Sequence, residues 1–144
     1  MKLFLDTSIL IKLYHNEIGT NEIEQFFANN DVTAIYLSEI SKIEFSSTVW
    51  KKVRLKEISI DEAKITLALF ETDFQKYTFI GSDGIIIKQV SRLISKYGTE
   101  GLRTLDSIQL ATAISLAGYI NLFLTADKLL NQLFEAEKLP SKIN

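Results

Sequence analysis

TLDSIQLATAISLAGYINLFLTAD, residues 104–127, decides the fold. From Ser107 to Ala126 it runs for twenty residues without a charge, long enough to suggest a membrane span. Its content argues otherwise. Ser107, Gln109, Thr112, Ser115, Asn121 and Thr125 are polar, and Gly118 interrupts the run. The stretch reads as two buried elements in series. TLDSIQLATAISLAG is a helix closed by Gly118 as its C-terminal cap. NLFLT is a short strand, apolar on both faces, as strands are in parallel sheets covered by helices.

Outward from this stretch the same alternation recurs. KLFLD (2–6) reads as a first strand, and TSILIKLY follows at once as a helix. Asn21 and Glu24 have capping-box spacing and open a second helix. TAIYL (33–37) is a second strand. Ser38 caps a long helix to about Val53, with Ile40, Ile43, Ser47 and Trp50 along one side. Ser59-Ile60-Asp61-Glu62 is a capping box whose helix carries Ile60, Ala63, Leu67, Phe70 and Phe74 at helical period. YTFI (77–80) is a third strand, Asp83 to Tyr97 a helix, and ADKLLNQLFEAE a final helix ended by Pro140. SKIN (141–144) is expected as a last short edge strand. Strands alternating with helices imply a parallel sheet with helices on both faces.

Composition fits one domain spanning residues 1–144, with 47% hydrophobic and 24% charged residues. With no cysteine, a disulfide scaffold, a thiol nucleophile and a Cys-ligated metal are excluded. The single histidine, His15, excludes a His-rich metal site and reads as a surface residue. The N-terminus meets an acid at Asp6, so it is not a signal peptide, and a cytoplasmic protein is expected. The formal net charge of −2 argues against a protein coated in positive charge.

The acids are unevenly placed. In an open parallel sheet, ligands bind outside the carboxyl ends of the strands. Asp6 ends the first strand, and Asp127 lies just beyond NLFLT. Asp106 lies in the first turn of its helix, where the dipole favours a carboxylate. Glu44 borders the inward stripe of its helix. Each has a plain alternative: Asp6 and Asp127 as helix caps, Asp106 as a first-turn acid, Glu44 as a solvated side chain. Together they converge on one rim, where like charges raise each other's pKa unless a cation intervenes. Such a cluster suits a hard divalent ion held by oxygen ligands. Ser8 and Thr125 lie beside the rim, as supports for the carboxylates or as local hydrogen-bonding residues.

LFLDTSILI, SEISKIEF, LRTLDSIQLATA and FLTADKLL resemble, in order and spacing, the four motifs of PIN-domain ribonucleases, and within them the VapC-type toxins of toxin–antitoxin pairs. The resemblance covers nearly the whole chain. It implies a three-layer α/β/α sandwich with a short parallel sheet of about five strands. It implies an endoribonuclease dependent on Mg²⁺ or Mn²⁺, with Asp6, Glu44, Asp106 and Asp127 as catalytic and metal-binding acids and Ser8 and Thr125 supporting them. It also implies an RNA substrate, a homodimer and a small antitoxin protein.

Other readings remain open. An RNA-processing nuclease would have the same chemistry, and a non-catalytic module could keep the fold. Haloacid-dehalogenase-like phosphatases need a second Asp where Ser8 stands, and receiver domains need paired acids that are missing. Lys51, Lys52, Arg54 and Lys56 crowd the end of the Glu44 helix, as phosphate contacts or as a solvated helix end. Arg103 could touch phosphate or pair with an acid. Trp50, Phe70, Phe74, Tyr77 and Phe79 read as core, with a groove for a partner helix as the alternative. Setting aside the four site acids leaves the rest of the chain at +2 (16 − 14).

Overall fold

The computed structural model describes residues 1–142. Its strands are β1 (Lys2–Leu5), β2 (Ala34–Ser38), β3 (Tyr77–Ile80) and β4 (Leu122–Leu124). Its helices are α1 (Thr7–Leu10), α2 (Thr20–Asn29), α3 (Ser41–Arg54), α4 (Ile60–Thr72), α5 (Gly84–Tyr97), α6 (Thr104–Ser115) and α7 (Lys128–Ala136). The strands form one four-stranded parallel sheet in the order β3-β2-β1-β4. Leu3 pairs with Ile35 on one side and Leu122 on the other. The chain builds outward from β1 to β2 and β3, then returns to place β4 on the opposite flank. The switch point of the sheet therefore lies between β1 and β4, and a crevice opens there beyond the strand ends.

Successive side chains of a strand face opposite ways, and here both faces are apolar. Leu3 and Leu5 of β1, with Leu122 and Leu124 of β4, pack into a core with α1, α2, α3 and α4. Phe4 and Phe123 point the other way, into a second core with α5, α6 and α7. The result is the expected three-layer α/β/α arrangement. The uncharged run divides as predicted into α6 and β4, and among the described residues no helix is long and apolar enough to cross a membrane.

Several local expectations are corrected. The sheet has four strands among the described residues rather than about five. Ser141 and Lys142 form no strand, and the remaining two residues of the expected edge strand lie outside the described residues. In its place, Phe123 N–H donates to the Pro140 carbonyl at 2.8 Å. The helix after β1 shortens to α1 and a 3-10 turn over Ile11–Leu13. α2 starts one residue before Asn21, with Gly19 at φ +95° as its cap and no side-chain capping bond. Ser38 is the last residue of β2, not a cap, and α3 starts at Ser41. α6 ends at Ser115, and Gly118, at φ +81°, sits in the turn beyond. The Ser59 cap holds, accepting from Glu62 N–H at 3.1 Å.

α3 also turns a different stripe inward. Ser41, Phe45 and Val49 are buried, while Ile43 is 72% exposed and Trp50 lies at the surface. Phe45 decides this by stacking on Phe70 of α4 at 4.1 Å between ring centroids. Phe74, Tyr77 and Phe79 pack beside them as core.

Candidate active site

Asp6 follows β1 directly and is 5% exposed. Its Oδ1 accepts from Ser8 Oγ at 2.6 Å and from Ile9 N–H at 3.2 Å, so it does cap α1. Its Oδ2 accepts from Thr125 Oγ1 at 2.5 Å. Thr125 stands just past β4, so this bond crosses the switch point of the sheet. The two hydroxyls are themselves tied to the β4–α7 connection. Ala126 N–H donates to Ser8 Oγ at 2.8 Å, and Asp127 N–H to Thr125 Oγ1 at 3.0 Å. Asp127 caps α7 by accepting from Leu130 N–H at 2.7 Å. Capping and rim placement, weighed as alternatives in the sequence, coexist in both residues.

Glu44 is held by a residue the sequence reading passed over. Gln109 of α6 is 2% exposed. Its Nε2 lies 2.7 Å from Glu44 Oε1, 3.0 Å from Ser41 Oγ and 3.3 Å from Thr7 Oγ1. Thr7 Oγ1 donates to Glu44 Oε1 at 3.1 Å. Glu44 Oε2 accepts none of these bonds. Gln109 Oε1 is buried without a partner among the described residues. Turning the amide over would set that oxygen against the Glu44 carboxylate, so the donor orientation is fixed by charge. A signal existed: Gln109 stands three residues after Asp106, on one face of α6.

Asp6, Glu44, Asp106 and Asp127 line one cleft of about 430 Å³, together with Ser8, Thr7, Gln109, Thr48, Lys12, Glu17 and Lys52. Thr125 lies behind it, holding Asp6. Of the cations named from sequence, Lys52 faces this cleft. Arg103 caps α6 and lines an adjoining hollow with Glu44 and Asp106. Lys51 and Arg54 are exposed and do not line the cleft.

The electrostatics are those of acids without cations. Among the described residues, none of the ion pairs involves the four acids. Burial pushes the Asp6 carboxyl up to about 6, against the hydrogen bonds from Ser8, Thr125 and Ile9, and Glu44 pushes the same way. Burial also raises Glu44, partly opposed by Gln109 and Thr7 and reinforced by Asp106. Asp106 is raised by burial and by Asp127, with Arg103 opposing. As they stand, no three acids among the described residues are gathered tightly enough to ligate one ion. The donor set is all-oxygen, anionic and uncompensated, and its chemistry fits a hard divalent cation.

A family model for the PIN domain matches residues 3–133. The chain belongs to the PIN-domain family. Solved structures with the same fold include FitAcB from Neisseria gonorrhoeae (TM-score 0.73, 15% identity, covering 98% of this chain and 96% of that one). Another is the VapC20 toxin of Mycobacterium tuberculosis, which cleaves the sarcin-ricin loop (TM-score 0.70, 12% identity, 91% and 94%). A toxin–antitoxin complex from Klebsiella pneumoniae is also similar (TM-score 0.62, 19% identity, 87% and 86%). At these identities the likeness is one of fold. No curated protein sequence matches the chain. The match to the family spans the acid cleft of this PIN domain, from β1 to α7.

Proposed function

We propose that this PIN domain is an endoribonuclease that hydrolyses RNA phosphodiester bonds with Mg²⁺ or Mn²⁺. We also propose that it is the toxin of a toxin–antitoxin pair, working as a homodimer that a small antitoxin protein restrains. The observation that carries the activity is the cleft at the switch point, which four carboxylates from separate segments line with none of them in an ion pair among the described residues. The toxin reading rests on the fold likeness to the M. tuberculosis toxin and the K. pneumoniae complex.

Asp6, Asp106 and Asp127 would hold the ion, with Glu44 joining them directly or through water. A bound divalent ion supplies Lewis acidity toward water and the phosphoryl oxygens. Asp6 is aimed by Ser8, Thr125 and Ile9 N–H, which leave a lone pair of Oδ2 free. Glu44 is aimed through Oε1 by Gln109 and Thr7, and Oε2 is the atom placed to take a proton from attacking water. Without a bound cation, burial raises Glu44 above its ordinary range, partly opposed by Gln109 and Thr7. Water attacks phosphorus in line with the departing ribose oxygen. No side-chain nucleophile is required.

The test is cleavage of RNA by the purified protein with Mn²⁺ or Mg²⁺. Cleavage is expected with either ion and none in EDTA. Undiminished cleavage in EDTA, or by Asp6→Asn, overturns the mechanism.

A further inference from the structure

The cleft has a second end, chemically opposite to the acid end. Lys12, in the 3-10 turn after α1, and Lys52, on α3, line it alongside the acids. Their side chains are each 13% exposed. Both ammonium groups converge on one carboxylate. Lys12 Nζ lies 3.1 Å from Glu17 Oε1, and Lys52 Nζ lies 2.8 Å from Glu17 Oε2. Two cations thus share one anion inside the cleft. Glu57 reaches Lys52 only at 3.4 Å, from an exposed position. Around Glu17 itself the two ammonium groups outnumber the carboxylate, in a partly desolvated place where charge acts strongly.

The ammonium groups also keep donors in hand. Each has three N–H bonds. Lys12 directs one to Glu17 and another to the Ile18 carbonyl at 2.6 Å. Lys52 directs one to Glu17 and a long one to Glu57. Their stems are ordered by packing, and Gly19 shows how closely: a Cβ there would sit 3.2 Å from Lys12 Cε.

Direction is set by α3. Glu44, Thr48 and Lys52 follow one another at four-residue intervals and all line the cleft. The rise of an α-helix puts Glu44 and Lys52 about 12 Å apart along the axis. A strand whose scissile phosphate sits among the acids and that follows this line brings a neighbouring phosphate to Lys12 and Lys52. Resting on the nuclease reading for its substrate class, we propose that Lys12 and Lys52 form a subsite for a non-scissile phosphate of the RNA strand. Glu17 holds the two ammonium groups together and opposes that phosphate with its own charge.

The test is fluorescence anisotropy of a labelled single-stranded RNA oligonucleotide in the Asp6→Asn background with Mn²⁺, titrated across salt concentrations. Lys52→Met is expected to weaken binding about tenfold and to reduce the log–log salt slope by about 0.7, the contribution of one single-strand phosphate. Lys12→Met shifts both in the same direction, and Lys52→Arg retains the parent values. Lys51→Met, exposed and outside the cleft, changes affinity by less than about twofold. Glu17→Gln tightens binding severalfold. A clamp that serves only the fold would make Glu17→Gln and Lys52→Met err in the same direction. That result, or an unchanged slope in Lys52→Met, overturns the subsite. Cleavage by the wild-type protein is read in parallel. Cleavage with unchanged slopes removes the subsite and keeps the nuclease, whereas a Lys52-dependent slope without cleavage does the reverse.

Discussion

Glu137, at the end of α7, and Asp6, at the end of β1, are both carboxylates largely shielded from water, and their surroundings are opposite. Glu137 Oε1 takes Arg92 Nη2 at 3.1 Å, and Oε2 takes Lys96 Nζ at 2.9 Å and Tyr97 Oη at 2.8 Å, which ties α7 to α5. Burial alone would raise its pKa, but these donors outweigh it and hold Glu137 below the usual range. Asp6 has no cation. Hydroxyls and a backbone N–H aim it, burial dominates, and it titrates at about 6. A carboxylate that serves the fold is neutralised by the fold. Asp6, the carboxylate proposed to hold a ligand, is oriented by neutral donors and left with its charge.

The contrast is sharpest in activity. Asp6→Asn is expected to lower RNA cleavage by about 10³-fold, or about 4 kcal/mol of barrier. Glu137→Gln leaves kcat/KM within about twofold. Steady-state cleavage assays on the two variants compare them directly, and retained cleavage in Asp6→Asn breaks the distinction.

Stability against pH comes next. The folded value of Asp6, about 6, lies above its ordinary 3.8, so between them the native state holds a proton that the unfolded chain has released. In metal-free buffer this residue's contribution therefore weakens the fold as pH rises from about 4 to about 6, by up to about 3 kcal/mol, and stays lost above. Asp6→Asn removes that slope, seen as the difference between the two proteins' unfolding free energies across the interval. Mn²⁺ at neutral pH raises the Tm of the wild type, since a ligand of the native state must stabilise it. Parallel pH profiles for the two proteins would contradict this account of Asp6.

Gln109→Leu tests the neutral donors themselves. Losing the 2.7 Å bond to Glu44 is expected to reduce Mn²⁺ affinity or kcat about 10- to 100-fold, as for groups that orient metal ligands. Calorimetric Mn²⁺ titration and a kcat measurement separate the two effects. The smallest effect belongs to Glu137→Gln, with about 1 kcal/mol of stability lost at neutral pH. Glu137 is held low, so its contribution is present above its unfolded pKa and disappears as pH falls through the folded one. Denaturant unfolding measures the loss, and Mn²⁺ affinity is expected to stay unchanged.

Four strands, and the placing of the four acids along one cleft, were legible because each leaves a local mark. An apolar run of strand length ending in Asp, as in LFLD, carries both signals at once. The inward stripe of α3 was not legible. Ile40, Ile43 and Trp50 are as apolar as Phe45 and Val49, and the periodicity is the same for either set. Only the tertiary contact of Phe45 with Phe70 chooses between them. Gln109 escaped for a related reason. A neutral polar side chain within an apolar helix carries no charge signal, and its partners, Thr7 and Glu44, are 102 and 65 residues away in the chain. Lys12 and Lys52 likewise meet only through Glu17, which brings together three separate segments. What sequence withholds here is pairing across the fold, not the identity of the groups.

The bond from Phe123 N–H to the Pro140 carbonyl has a bearing on how the molecule keeps to itself. β4 is an outer strand of the sheet, and an outer strand is a template on which a foreign strand can polymerise. Here the chain returns, and its own Pro140 carbonyl takes one of the donors that template offers. A strand adding to this flank, beside the crevice between β1 and β4, would first have to displace the chain's own Pro140 from Phe123 N–H.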